Sequence, residues 1–248
     1  MYSENWDISY HGTYKVLTNK LAGESYLLYQ CGTEPPAGAE DTYDQVISIP
    51  PQAQDSGVNI VSTPMIAYLE LLGLRTSISG YIGSPTLVSS PCLIELINSG
   101  SVPVASSVGN ATILEASGVP TDAITFVSGW TGDTVPEKTI VMQEYEESSF
   151  MGTMEWIKAY AAVFNVEDKA NEVFDEAICR FEAIENNVAS VTSDMQERPK
   201  VLWAYYSDYC GGWDVAEVNC TIFLTLDYWY IFYASCFTHF YIYFFLSF

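Results

Sequence analysis

The chain has 248 residues, 49% of them apolar, and sets 31 acidic side chains against 9 Lys plus Arg, for a formal charge of −22. That apolar content supplies a core for one large domain or two modest lobes and excludes a disordered polypeptide. The charge repels nucleic-acid backbones and anionic lipid, which excludes nucleic-acid binding and fits a solvated surface in a salty or extracellular setting.

Taken along the chain, the first residues (MYSENWD) are neither basic nor apolar, so no signal peptide is visible; the expectation is a cytosolic protein or a missing true N-terminus. Residues 13–17 and 25–30 alternate as the arms of a β-hairpin turning near Gly23. Residues 34–38 (EPPAG) read as a loop and 45–49 (QVISI) as a strand stopped by Pro50 and Pro51. Residues 58–61 (VNIV) form a short apolar strand, and 65–72 (MIAYLELL) a helix that Gly73 ends by taking the left-handed conformation. Ser62 or Thr63 is expected to cap that helix, with Pro64 at its first position. Residues 76–81 resume strand-like alternation. The order is β-α-β, with a helix N-terminus and two hydroxyls facing the carboxyl edge of a parallel sheet, where such sheets hold ligands. Short helices at 93–97 and 113–116 and strands at 123–127 and 139–142 complete a small α/β lobe.

From Phe150 the period becomes helical. Met154, Ile157, Ala161 and Phe164 share a face that Val173, Phe174, Ala177, Ile178, Phe181, Ile184 and Val188 continue. Residues 165–168 (NVED) read as a capping turn between two helices, with Asn165 as the cap. After Asp214 the composition breaks: residues 221–248 are dense in Phe, Tyr, Trp and Ile, with Asp227 as their one acid and no Lys or Arg. Residues 228–248 are long enough to span a bilayer, yet their Tyr and Trp are spread throughout and no basic flank orients them. The preferred reading is translation of a T-rich intron, because codons for Val218-Asn219 can spell the start of a splice donor. The tail is then expected to lie outside the native fold.

The order of residues 60–80, a strand, a Ser/Pro turn, a short helix ending in Leu-Gly and a strand closing on Gly, resembles the substrate-binding proteins of ABC importers for iron-siderophores and cobalamin. Residues 109–116 (GNATILEA) and 119–124 (VPTDAI) match where that family carries a helix with an Asn-x-Glu core, then Pro-Asp and an apolar strand; Thr121 is an extra residue in that pattern. The third match is the long helical segment followed by residues 199–206 (PKVLWAYY), so the resemblance covers roughly residues 43–214. It implies a Rossmann-like parallel-sheet N-terminal lobe (1–148), a long interlobe helix (149–192) and the start of a second lobe (199–217), with that C-terminal lobe largely missing and the aromatic tail (218–248) following. It also implies a binding protein for an iron chelate or corrinoid, extracytoplasmic and not an enzyme. Its partner would be a membrane transporter or receptor, to which Glu115 occupies the docking position.

Catalytic sets are sparse. His11 falls in the hairpin and His239 in the tail, and there is no catalytic triad, zinc motif, nucleophile elbow or phosphate-binding Gly loop, so neither cofactor nor metal is expected. The cysteines at 31, 92, 179, 210, 220 and 236 form no Cys-x-x-Cys pair, and no disulfide is assigned. Glu144, Glu146 and Glu147 offer carboxylate chemistry, although a solvated charge run at a helix start is the simpler account. Aromatics at strand ends are the binding candidates beside Ser62 and Thr63: Tyr81, Trp130, Tyr145, Tyr205, Tyr206 and Trp213. Arg75, Arg180 and Arg198 all lie away from strand carboxyl ends, so a neutral hydroxamate chelate or corrinoid fits better than an anionic catecholate or citrate chelate. Two other functions stay open: an acidic α/β enzyme using residues 144–147, and a protein anchored to a membrane by its tail.

Overall fold

The computed structural model describes residues 2–50, 57–129, 136, 138–193, 204–207 and 212–215. The chain divides into two compact units, one of Glu4–Gln143 and Trp156–Val173, the other of Met1–Ser3, Glu144–Glu155 and Phe174–Phe248.

The larger unit opens with a mixed sheet. Strands β1 (Trp6–Tyr10), β2 (Tyr14–Asn19), β3 (Glu24–Gln30) and β4 (Gln45–Ile49) lie in that order, antiparallel except for the parallel β3–β4 pair. The hairpin is β2–β3, and Gly23 turns it with φ 70, a conformation a side chain would resist. Strand β1 was not expected: of its five residues only Trp6 is buried, so it carries almost no apolar alternation. A short helix, α1 (Ala39–Thr42), precedes β4.

A second sheet follows, with β5 (Val58–Ile60), β6 (Ile78–Ile82), β7 (Val104–Ala105), β8 (Ile124–Val127) and β9 (Thr139–Val141) in the order β7-β6-β5-β8-β9. Every pairing is parallel, as the β-α-β order predicts. Helices α2 (Thr63–Leu71), α3 (Pro91–Asn98) and α4 (Ala111–Ser117) connect its strands. All four residues of β8 are buried, because both faces of the sheet are covered. Phe126 meets Tyr160 and Phe164 of α5 (Phe150–Phe164) edge-on at 5.2 and 6.0 Å, and Tyr160 stacks on Tyr68 of α2 at 4.8 Å. The next residue, Val127, points the other way and packs in a cluster with Leu114 of α4, Ile82 and Ala105. The result is an α/β fold with helices on both faces of a parallel sheet.

Two local details differ from expectation. Ser62 is the extended residue before α2, but its side chain makes no capping bond, and Pro64 sits second because the helix starts at Thr63. Asn165 does not cap α6 (Glu167–Thr192). It takes a left-handed φ of 55 after the last residue of α5, and its Nδ2 donates to Pro50 O at 3.0 Å. Asn tolerates that conformation better than most residues, so it breaks the 15- and 26-residue helices apart. Lys15 fixes β2 to the same corner, its ammonium donating to Ala162 O at 2.7 Å and to the Glu167 carboxylate.

In the smaller unit the acidic run is not a solvated one. Glu144 and Glu147 are 2% and 1% exposed, and only Tyr145 and Glu146 between them face water. Ser3 Oγ donates to Glu147, and the backbone N–H groups of Tyr2 and Ser3 donate to the buried Glu155 at 2.6 and 2.8 Å. Ser149 Oγ accepts the Gly152 N–H at 3.0 Å at the start of α5. Strands β10 (Ala204–Ser207) and β11 (Gly212–Val215) pair antiparallel, Tyr206 opposite Trp213. Among the described residues no helix is long and apolar enough to cross a membrane. The aromatic tail lies outside the described residues.

Candidate functional site at the carboxyl edge of the parallel sheet

Strand order fixes where a ligand can enter. The chain starts at central β5, adds β6 and β7 on one side, then returns to add β8 and β9 on the other. Connections leaving β5 and β8 therefore diverge, and it is outside the carboxyl ends of the strands at such a switch point that open α/β sheets form the crevice that holds ligands. Strand β5 runs into Ser62 and Thr63, both half-buried, and β8 into Ser128 and Gly129. Along the same edge β6 leads to Ser84 and Thr86, and β7 to Ser106 and Ser107.

Residues 61–64, 83–88, 106–110 and 128–129 hold no Asp, Glu, Lys or Arg. On a chain of charge −22 this rim is electrically neutral and rich in hydroxyls. At the starts of α3 and α4 the cap residue is committed: Ser90 accepts from the Leu93 N–H at 3.3 Å, and Asn110 from the Ile113 N–H at 3.2 Å. Ser62 has no such bond, so its hydroxyl and the first amides of α2 remain available to a ligand in the crevice.

Of the expected site residues, the structure brings together Ser62 and Thr63. Tyr81 is 1% exposed, and its ring belongs to the core. Only its hydroxyl reaches the strand-end loop, 3.5 Å from Ser84 O, and burial raises its phenol pKa. Tyr145 and Tyr206 are exposed in the smaller unit. Trp130 lies outside the described residues, as do the side chains of Tyr205 and Trp213, whose backbones form β10 and β11. Glu115 is exposed on α4, which Gly118 ends with φ 76. Sequence reasoning missed Ser84, Ser107 and Ser128. The signal was present, since a serine follows each of these short apolar strands within two residues of its end.

A cleft of about 480 Å³ adjoins the end of β8, walled by Val127, Gly129 and Val141 on one side and by Glu24, Asp44 and Gln45 of the mixed sheet on the other. Beside it the Tyr26 hydroxyl accepts the Val141 N–H at 3.0 Å and donates to Glu24. Burial and then the Glu24 bond hold that phenol far above its ordinary pKa. Asn19 Nδ2 donates to Val141 O at 2.9 Å and to Gln143 Oε1 at 3.1 Å.

His11 lies between β1 and β2, its Nε2 2.9 Å from Ser9 Oγ and its ring stacked on Tyr14 at 4.8 Å. His11 and Ser9 are both exposed, and Tyr14 is half-buried in β2. Among the described residues no group of three or more His, Cys, Asp or Glu could hold a metal ion.

No family model and no curated protein matches the sequence. Among solved structures the chain is similar to a periplasmic heme-binding protein from Pseudomonas aeruginosa, at 12% identity over 65% of this chain and 56% of that one, TM-score 0.47. It is similar to a periplasmic binding protein from Veillonella parvula at 12% identity over 62% and 51%, TM-score 0.45. A protein of an ABC-type Fe3+-hydroxamate transport system from Saccharomonospora viridis matches at 14% identity over 53% and 51%, TM-score 0.35. The chain spans just over half the length of each of these proteins.

Proposed function

We propose that the chain is the first lobe and connecting helices of an extracytoplasmic ligand-binding protein, resembling those that deliver iron-siderophores or cobalamin to a membrane transporter. In this reading residues 149–192 connect two lobes, 199–217 begin the second, and 218–248 stand outside the native fold. The observation that supports it most is the charge-free, hydroxyl-bearing rim at the carboxyl ends of the parallel strands, centred on the β5–β8 switch point. Serine and threonine hydroxyls with uncapped helix amides suit an oxygen-rich neutral ligand, and the absence of Arg or Lys from that rim disfavours carboxylate-rich chelates. Glu115, exposed on α4, is the proposed contact to the transporter.

Tryptophan emission provides the test. Titration of the chain completed by a second lobe with a ferric trihydroxamate or a corrinoid should give saturable quenching, weakened in Trp130→Ala, whereas ferric citrate should give none. Absence of binding across such a panel, or a preference for the citrate complex, would reject the reading.

A further inference from the structure

Helix α6 carries an apolar stripe at alternating three- and four-residue spacing: Phe174, Ala177, Phe181, Ile184, Val188 and Val191. Its first part is covered, with Tyr2 against Phe174 at 5.9 Å and Phe150 stacked on Phe181 at 5.5 Å. Among the described residues nothing covers its last part. Ile184 is 59% and Val191 65% exposed, and every residue from 182 to 187 faces water. Helices in proteins draw most of their stability from packing, and Asn186, Asn187, Val188, Val191 and Thr192 are weak helix formers, so this end of α6 gains little from its own sequence. An uncovered heptad stripe on it calls for a facing helix.

We infer that the facing helix is α6 of a second copy of this chain, aligned parallel. With Val188 at the first core position of a heptad and Ile184 and Val191 at the second, Arg180 and Glu185 fall on the two flanking positions. In a parallel pair those are the positions that meet across the seam, so Arg180 of each copy faces Glu185 of the other, twice by symmetry. Among the described residues Arg180 pairs with Glu176 one turn back on its own helix, and both side chains are exposed, which leaves the guanidinium within reach of a partner. Two chains of charge −22 repel one another, so the association is weak at low salt and strengthens as salt screens the rest of the surface.

Sedimentation equilibrium of the full chain at low and high salt tests this. The weight-average mass should move from the 27.6 kDa of one chain toward twice that value as salt and protein concentration rise. Ile184→Glu should abolish the shift, while circular dichroism shows the body still folded. Arg180→Glu should weaken it at least several-fold, and Arg180→Glu with Glu185→Arg should restore it. A monomer under all conditions, a dimer indifferent to Ile184→Glu, or a double variant no better than the single overturns the inference. So does a monomer in which the thiol of Ile184→Cys resists alkylation, since the chain itself would then cover the stripe.

Discussion

The Tyr26 hydroxyl accepts the backbone N–H of Val141, joining a core residue of the mixed sheet to the outermost strand of the parallel one. An edge strand presents unpaired amides that template aggregation unless something covers them. Here Tyr26 satisfies the N–H of Val141 and Asn19 its carbonyl, so two side chains from β2 and β3 serve the outer backbone groups of that β9 residue without adding a strand.

Replacing Tyr26 by Phe keeps the ring and removes the hydroxyl, leaving the Val141 amide and the Glu24 carboxylate without that partner. The expected loss is about 1–3 kcal/mol, read as a lower midpoint in urea with an unchanged slope. An unaltered midpoint would show that water serves the edge equally well.

The same hydroxyl makes stability fall at alkaline pH. The phenols of Tyr26 and Tyr81 are both raised from the ordinary 10.0, Tyr26 by burial and then by the Glu24 bond, Tyr81 by burial. The folded chain thus holds these protons more tightly than the unfolded one. Their contribution is fully present below pH 10 and is lost as pH rises through the folded values. Spectrophotometric titration should show phenols that ionise late, together with unfolding, and Tyr26→Phe should remove one of them. A titration in which every tyrosine ionises reversibly near the ordinary value contradicts this.

A third test concerns Asn59, buried at 0% exposure in the middle of β5. Its Nδ2 donates to Pro120 O at 2.7 Å and lies 3.3 Å from Thr125 Oγ1, while its Oδ1 accepts from Ser79 at 3.3 Å. This network fits only because Gly80 has no side chain: a Cβ there would come within 2.6 Å of Asn59 Oδ1 and 2.7 Å of Val119 Cγ1. Gly80→Ala should cost about 1–3 kcal/mol by thermal or urea unfolding. A neutral effect would mean that β5 and β6 yield more easily than their packing suggests.

How much of this was legible follows from distance along the chain. The β-α-β unit from Val58 to Tyr81 could be read because strand, turn and helix signals are local, and the left-handed Gly73 stops α2 as its sequence requires. Burial of Glu147 and Glu155 could not be read, since their partners are Tyr2 and Ser3, more than 140 residues away. Tyr81 misled for a related reason. Its place at a strand end is visible in the sequence, but whether its ring faces a cleft or the core depends on which layer β7 and the strand-end loop build around it. Asn165 looked like a helix cap because Asn serves both at N-caps and in left-handed turns, and only the chain direction around it distinguishes the two uses.

The crevice itself can be probed by separating capping from binding. Asn110 accepts a hydrogen bond from its own helix, whereas Ser62, the corresponding residue of α2, makes none. Asn110→Ala should therefore destabilise the fold by about 1 kcal/mol, while Ser62→Ala should change stability by less than about 0.5 kcal/mol. If the hydroxyl of Ser62 and the amides behind it receive the ligand, Ser62→Ala should instead weaken binding of the ferric trihydroxamate or corrinoid roughly five- to tenfold, the loss of about one hydrogen bond. Denaturation and fluorescence titration of the two variants should thus give opposite rankings. Equal stability loss in both would mean that Ser62 caps α2 in solution, and unchanged affinity in Ser62→Ala would place the ligand away from the β5 end of the crevice.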